Sequence, residues 1–153
     1  LKNKTSYLWK NLVLSLRCLY WFKNKFMEKK ILLTACVLGF LAIIFGAFGA
    51  HALKKVLTPE QLISFETGVK YQMYHALFLL FVGMTQIITL KEKAVLFYLV
   101  LVGVLFFSGS IYILTTSTIT GIKSKIIGPI TPIGGLFLIL SWGYLFYAIL
   151  MKK

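Results

Sequence analysis

The chain has 153 residues, 59% of them hydrophobic and only 14% charged, with a mean hydropathy of +0.85, which excludes an ordinary soluble domain and places the protein in a membrane. The net charge of +13 does not point to nucleic acid, because the lysines and arginines sit in short clusters between apolar runs, where they suit anionic lipid head groups. Cys18 and Cys36 provide neither a disulfide framework nor a CxxC metal spacing.

Residues 1–26 differ from the rest of the chain. No methionine precedes Met27, and Met27-Glu28-Lys29-Lys30 has the form of a natural start before an apolar run, so this segment reads either as a mis-set start or as a basic amphipathic extension. In the second case Lys10 and Arg17 share one helical face while Leu8, Leu12, Leu16 and Leu19 line another, the pattern of an interfacial helix. Residues 27–153 read as a single membrane domain with spans at about 31–53, 69–90, 94–116 and 132–150.

The first span carries no charge and, at 1.5 Å per residue, is long enough to cross a hydrocarbon core of about 30 Å. Leu33-Thr34-Ala35-Cys36 resembles a lipoprotein box and Ala50-His51-Ala52 an A-x-A cleavage site, but the apolar run before the cysteine is too short and the run to Ala50 too long. Ala35, Gly39, Ala42, Gly46 and Gly49 recur at steps of four and three, which predicts a helix-packing face that another backbone can approach. Lys54 and Lys55 close the span. Thr58-Pro59-Glu60-Gln61 then follows helix-start grammar, with Thr as N-cap, Pro at the first position and Gln at the third. A short interfacial helix is expected there, with Glu66 and Lys70 as an i, i+4 pair.

The second span places Gly68, Gln72, His75, Leu79, Gly83 and Gln86 on one face. Those amides and that imidazole would be costly against lipid, so the face must look inward. Lys91-Glu92-Lys93 reads as a tight charged turn before the third span, which contains Gly103, Ser108, Gly109, Ser110 and Tyr112. Thr131 and Pro132 read as the N-cap and first position of the fourth span, where Gly134 and Gly135 interrupt the aliphatic residues as further packing positions.

The expected fold is therefore all-α, an integral membrane four-helix bundle running up-down-up-down with a short interfacial helix between spans 1 and 2. That path brings the end of span 1, the start of span 2, the end of span 3 and the start of span 4 to one membrane face. His51, Glu66, Gln72, His75, Ser108, Tyr112 and Thr131 are then candidates for a shared polar pocket there, with His75 bonded to Gln72 or Tyr112 and His51 meeting Glu66 or head-group water. Positive charge divides almost evenly between the two faces, and the basic extension tips both termini toward the cytoplasm.

The strings GAFGAHAL, FETGVKYQMYHAL, FSGSIY and GPITPIGGLFLILSWG, in that order, resemble the hallmarks of the small membrane proteins called domain of unknown function 423, over essentially residues 27–153. The resemblance implies a multi-pass protein of the bacterial inner membrane, with no activity or cofactor attached to the family.

The sequence has no Ser/His/Asp set with its orienting acid, no HExxH, no phosphate loop and no paired carboxylates, so no catalytic residues, cofactor or metal are expected. A structural or interaction role is expected instead, with membrane lipids and a second copy or another membrane protein as partners. The alternative is a small-molecule, lipid or haem/metal-binding protein that uses His51 and His75 as ligands.

Overall fold

The computed structural model describes residues 2–121 and 127–152, with side chains from Lys25 onward. The expected faces of the first 24 residues, and Lys123, Lys125 and Lys153, lie outside the described side chains. Among the described residues the protein is all-helical: α1 Lys2–Ala50, a 3-10 turn Leu53–Lys55, α2 Pro59–Met84, α3 Leu90–Thr115, a short α4 Ser117–Thr120 and α5 Ile130–Leu150. Three segments are long and apolar enough to cross a membrane, Lys25–Lys55, Leu90–Thr115 and Ile130–Leu150. α2 has the length but not the apolarity, since Glu66, Lys70, Gln72 and His75 fall in its first two thirds.

Local chemistry sets the helix starts. Thr58 accepts from the backbone N–H of Gln61 while the Gln61 side chain takes the N–H of Thr58, a closed capping box with Pro59 behind it. This helix does not stop at the interface. The expected short interfacial helix and the second span are one element, because nothing between Gln61 and Met84 breaks the backbone ladder. Thr89 and Glu92 form a second capping box. The connection is therefore Thr85–Thr89 and not the charged triplet, and Lys91, Glu92 and Lys93 make the first turn of α3. α5 begins at Ile130 after Pro129, without a side-chain cap. Thr131 does not cap it, because its hydroxyl is engaged across the interface with Ser110 at 2.6 Å.

Consecutive long helices pack antiparallel. α1 meets α2 along its small-residue face: a Cβ on Gly39 would touch Ala76 at 3.8 Å, on Gly46 Val69 at 3.6 Å and on Gly49 Phe65 at 3.4 Å, with Ala42 buried between them. That face is occupied within the chain. α2 meets α3 where Gly68 lies under Tyr112, and α3 meets α5 where Gly103 receives Leu138 and Gly135 lies against the Phe107 ring. The closest approach is at Gly134, where any side chain would fall on the backbone of Phe106 and Phe107. The interior is filled by Ile31, Leu79, Val82, Leu96, Phe97 and Val100, all essentially inaccessible.

Gly134→Ala should therefore force α5 off α3. The expected loss is about 1–3 kcal/mol of stability, read by denaturation in mixed micelles. Gly143→Ala, where nothing lies within 4 Å of the added carbon, should not lower the unfolding midpoint and should raise it slightly through alanine's better helix propensity.

Candidate functional site

The polar residues of α2 sit at the middle of the molecule. Gln72 is thirteen residues beyond the first residue of α2, about 20 Å along its axis, and is 4% exposed. Its amide nitrogen donates to the backbone oxygen of Leu38 on α1 at 2.8 Å. Its amide oxygen accepts from the Tyr112 hydroxyl on α3 at 2.9 Å. Leu38 can accept a second bond beyond its own helical one because a carbonyl has two lone pairs, and the small Gly39 and Ala42 let α2 come close enough to use it. One side chain thus joins three helices.

Tyr112 is placed for this role by its ring, which lies 5.0 Å from Phe45 on α1 and 5.0 Å from Phe65 on α2. Beside it Ser108, fully buried, donates to the Gly68 oxygen at 2.8 Å. Nearer the end of the bundle Ser110 donates to the Phe107 oxygen at 2.9 Å and meets Thr131 on α5. Interhelical hydrogen bonds of this kind average about 0.6 kcal/mol each in a membrane. Their larger effect is to make a rotated or slipped helix leave polar groups unpaired.

The seven pocket candidates do not converge. Gln72 and Tyr112 meet each other, Ser108 makes a separate contact on the same α2–α3 interface, and Thr131 belongs to the α3–α5 interface. His75 meets neither Gln72 nor Tyr112. Its Nδ1 pairs with the Tyr71 oxygen on its own helix at 2.8 Å, its ring stacks near Tyr71 and Phe78, and its buried Nε2 has no hydrogen-bond partner among the described residues. Glu66 pairs with Lys70 at 3.6 Å on the exposed side of α2 and not with His51. His51 is exposed in the turn after α1. Phe65 packs at the level of Gly49, and His75 is ten residues further along α2, so the two imidazoles are separated by about 15 Å along the helix axis. A haem or metal held by both is incompatible with this geometry. No group of three His, Cys, Asp or Glu side chains is arranged to hold a metal among the described residues.

Sequence reasoning missed Lys93. Its ammonium, 2% exposed, contacts Glu28 of α1 at 2.6 Å and donates to the Gly83 oxygen near the end of α2 at 3.3 Å. The last carbonyls of a helix carry partial negative charge, so a cation there is favourable to both neighbours. The signal was present: Lys93, Phe97, Val100 and Val104 continue one stripe at steps of four and three, and all four are buried. Close by, Lys30 reaches the Tyr98 hydroxyl at 3.3 Å and lies over the Phe97 and Tyr98 rings.

Apolar helices joined by buried polar contacts define a helical membrane protein. Residues 45–135 match the family described as "Protein of unknown function (DUF423)". A UPF0382 membrane protein of Staphylococcus aureus is 37% identical over 114 residues, covering 74% of this chain and 89% of the relative. One from Haemophilus influenzae is 34% identical over 127 residues, covering 83% and 98%. The Escherichia coli protein named UPF0382 inner membrane protein YgdD is 28% identical over 127 residues, covering 80% and 91%. The chain belongs to this family of membrane proteins. No solved structure matches it.

Gln72→Leu strands the Tyr112 hydroxyl and should lower stability by about 1–3 kcal/mol. His75→Leu removes the unpartnered Nε2 and a bond made only within its own helix, to the Tyr71 oxygen, and should cost less. In a double-mutant cycle, Gln72→Leu with Tyr112→Phe should lose less than the sum of the two single changes, measured by the same micellar unfolding.

Proposed function

We propose that this chain is a four-span, up-down-up-down bundle of the bacterial inner membrane, with both termini in the cytoplasm, and that it serves a structural or interaction role without catalysis. The observation that carries this reading is the Gln72 junction. Gln72, Tyr112 and Ser108 inside the helices are committed to holding helices together, leaving the outer surface to meet partners.

That surface is apolar and aromatic. Between α2 and α5 runs an open groove of about 610 Å³ lined by Tyr74, Leu77, Phe78, Phe81, Trp142, Leu145 and Ile149, suited to lipid chains or to a helix of a second copy or another membrane protein. The antiparallel pairing supports the alternating path. So does the central place of α2, whose polar face is covered by α1 and α3, so that it needs less lipid-compatible surface than its neighbours. Lys29, Lys30, Lys91 and Lys152, together with the basic residues 1–26, favour the end bearing the termini as cytoplasmic. The name of the Escherichia coli relative supports the inner membrane.

Cysteine labelling tests the path. In a background lacking Cys18 and Cys36, Lys54→Cys should react with a membrane-impermeant maleimide on intact spheroplasts and Lys91→Cys only after lysis. Reaction of both on one side would mean that α2 does not cross, and the reverse pattern would invert the orientation. Native mass spectrometry of protein released with its lipids should show a bound lipid or a second subunit. A bare monomer that retains neither would count against the interaction role.

A further inference from the structure

At the end of the bundle opposite Lys93, the first turns of α2, the end of α3 and the start of α5 enclose an open cleft of about 390 Å³, within the usual range for small-ligand pockets. Its one ionised lining group is the Glu60 carboxylate, and no lysine or arginine lines it among the described residues. Glu60 is held below the ordinary carboxyl range by its own backbone N–H and by the Thr58 hydroxyl.

The hydroxyls in the cleft are polarised the same way. Thr67 donates to the Ile63 oxygen at 3.0 Å and Thr115 to the Ile111 oxygen at 2.8 Å. Ser110 has already given its proton to Phe107, so the 2.6 Å contact with Thr131 takes the Thr131 proton. Three hydroxyl oxygens therefore offer lone pairs only. Ser64 alone among the lining hydroxyls is left with a proton to give. The terminal carbonyls of α3, which lie against the same space, add partial negative charge. Glu60 offsets the opposite polarity of the α2 start.

With one carboxylate and three acceptor hydroxyls against only Ser64 and the Gln61 amide as donors, the lining favours a cation rich in donors. We infer that this cleft binds a primary ammonium group, with the oxygens of Thr67, Thr115 and Thr131 as acceptors and Glu60, seven residues and about 10 Å back along α2 from Thr67, as a counter-ion at the mouth and not a direct contact. Ile111 and Leu114 supply an apolar wall for the carbons that carry it. The ammonium belongs either to an ethanolamine lipid head group or to a free amine. A quaternary ammonium has no N–H to donate and is a poor fit.

The test uses the full chain in detergent, titrated with short-chain phosphatidylethanolamine, short-chain phosphatidylcholine and free ethanolamine, with retention read by native mass spectrometry and by thermal shift. Preference for the ethanolamine lipid over the choline lipid is expected. Glu60→Gln should weaken binding by about three- to fivefold, the size fitting a solvent-facing charge. Thr131→Val should weaken it further and Thr131→Ser restore it. Glu66→Gln, on the same helix outside the cleft, should have no effect.

Protection by free ethanolamine as strong as by the lipid would identify a free amine as the ligand, and protection by the lipid alone a head group. Equal retention of the two lipids with no effect of ethanolamine would overturn the inference. So would Glu60→Gln binding like the unaltered protein at an unchanged melting temperature, or Glu66→Gln losing as much as Glu60→Gln.

Discussion

Backbone carbonyls inside a helix are already bonded, yet each keeps a second lone pair, and the structure depends on how that spare capacity at Leu38 is used. A primary amide can donate and accept at once, so Gln72 takes the Leu38 oxygen on one side and the Tyr112 hydroxyl on the other. Buried away from solvent, where water cannot substitute for either partner, this fixes three helices in rotation and register. Apolar packing alone would tolerate slippage, because a leucine finds lipid tails nearly as congenial as another leucine. The glycines and alanines of α1 matter because they bring α2 within bonding distance of that oxygen.

A second fastening lies toward the other end, where the Lys93 ammonium sits between the Glu28 carboxylate and the Gly83 oxygen. A buried ion pair is a poor source of net stability, since taking both charges from water offsets most of their attraction. Its contribution here is registry. With Gln72 at mid-height and Lys93 near one end, α1, α2 and α3 are tied at two levels and cannot pivot about either one.

Much of this was legible from residues alone. Thr58-Pro59-Glu60-Gln61 announced a helix start, and the small residues of α1 and the inward face of α2 emerged from their spacing, because capping and periodicity are local properties. Partners were less legible. The stripe through Gln72 and His75 placed both inside the fold but could not say that Gln72 bridges two neighbours while His75 turns back to Tyr71, a choice made by the packing of Tyr112 between Phe45 and Phe65. Position along the bundle was hidden for the same reason: the helix opened at Thr58 runs unbroken to Met84, so Gln72 falls at its midpoint. The misread charged triplet is different, since Thr89 and Glu92 carried a capping signature as clear as that of Thr58 and Gln61.

The order of contacts along the chain bears on how the protein is made. Each long helix packs chiefly against the one synthesised before it: α2 finds the Leu38 oxygen as soon as it emerges, α3 brings Tyr112, Ser108 and Lys93 to a hairpin already formed, and α5 adds itself through Thr131 and Gly134 to α3. The early segments that wait on a late one are α1, whose Glu28 pairs with Lys93 of α3, and α2, whose Gln72 oxygen stays unpaired until α3 leaves the ribosome. Between the emergence of α2 and that of α3 the growing chain presents a hydrophilic face whose bonds are only half made.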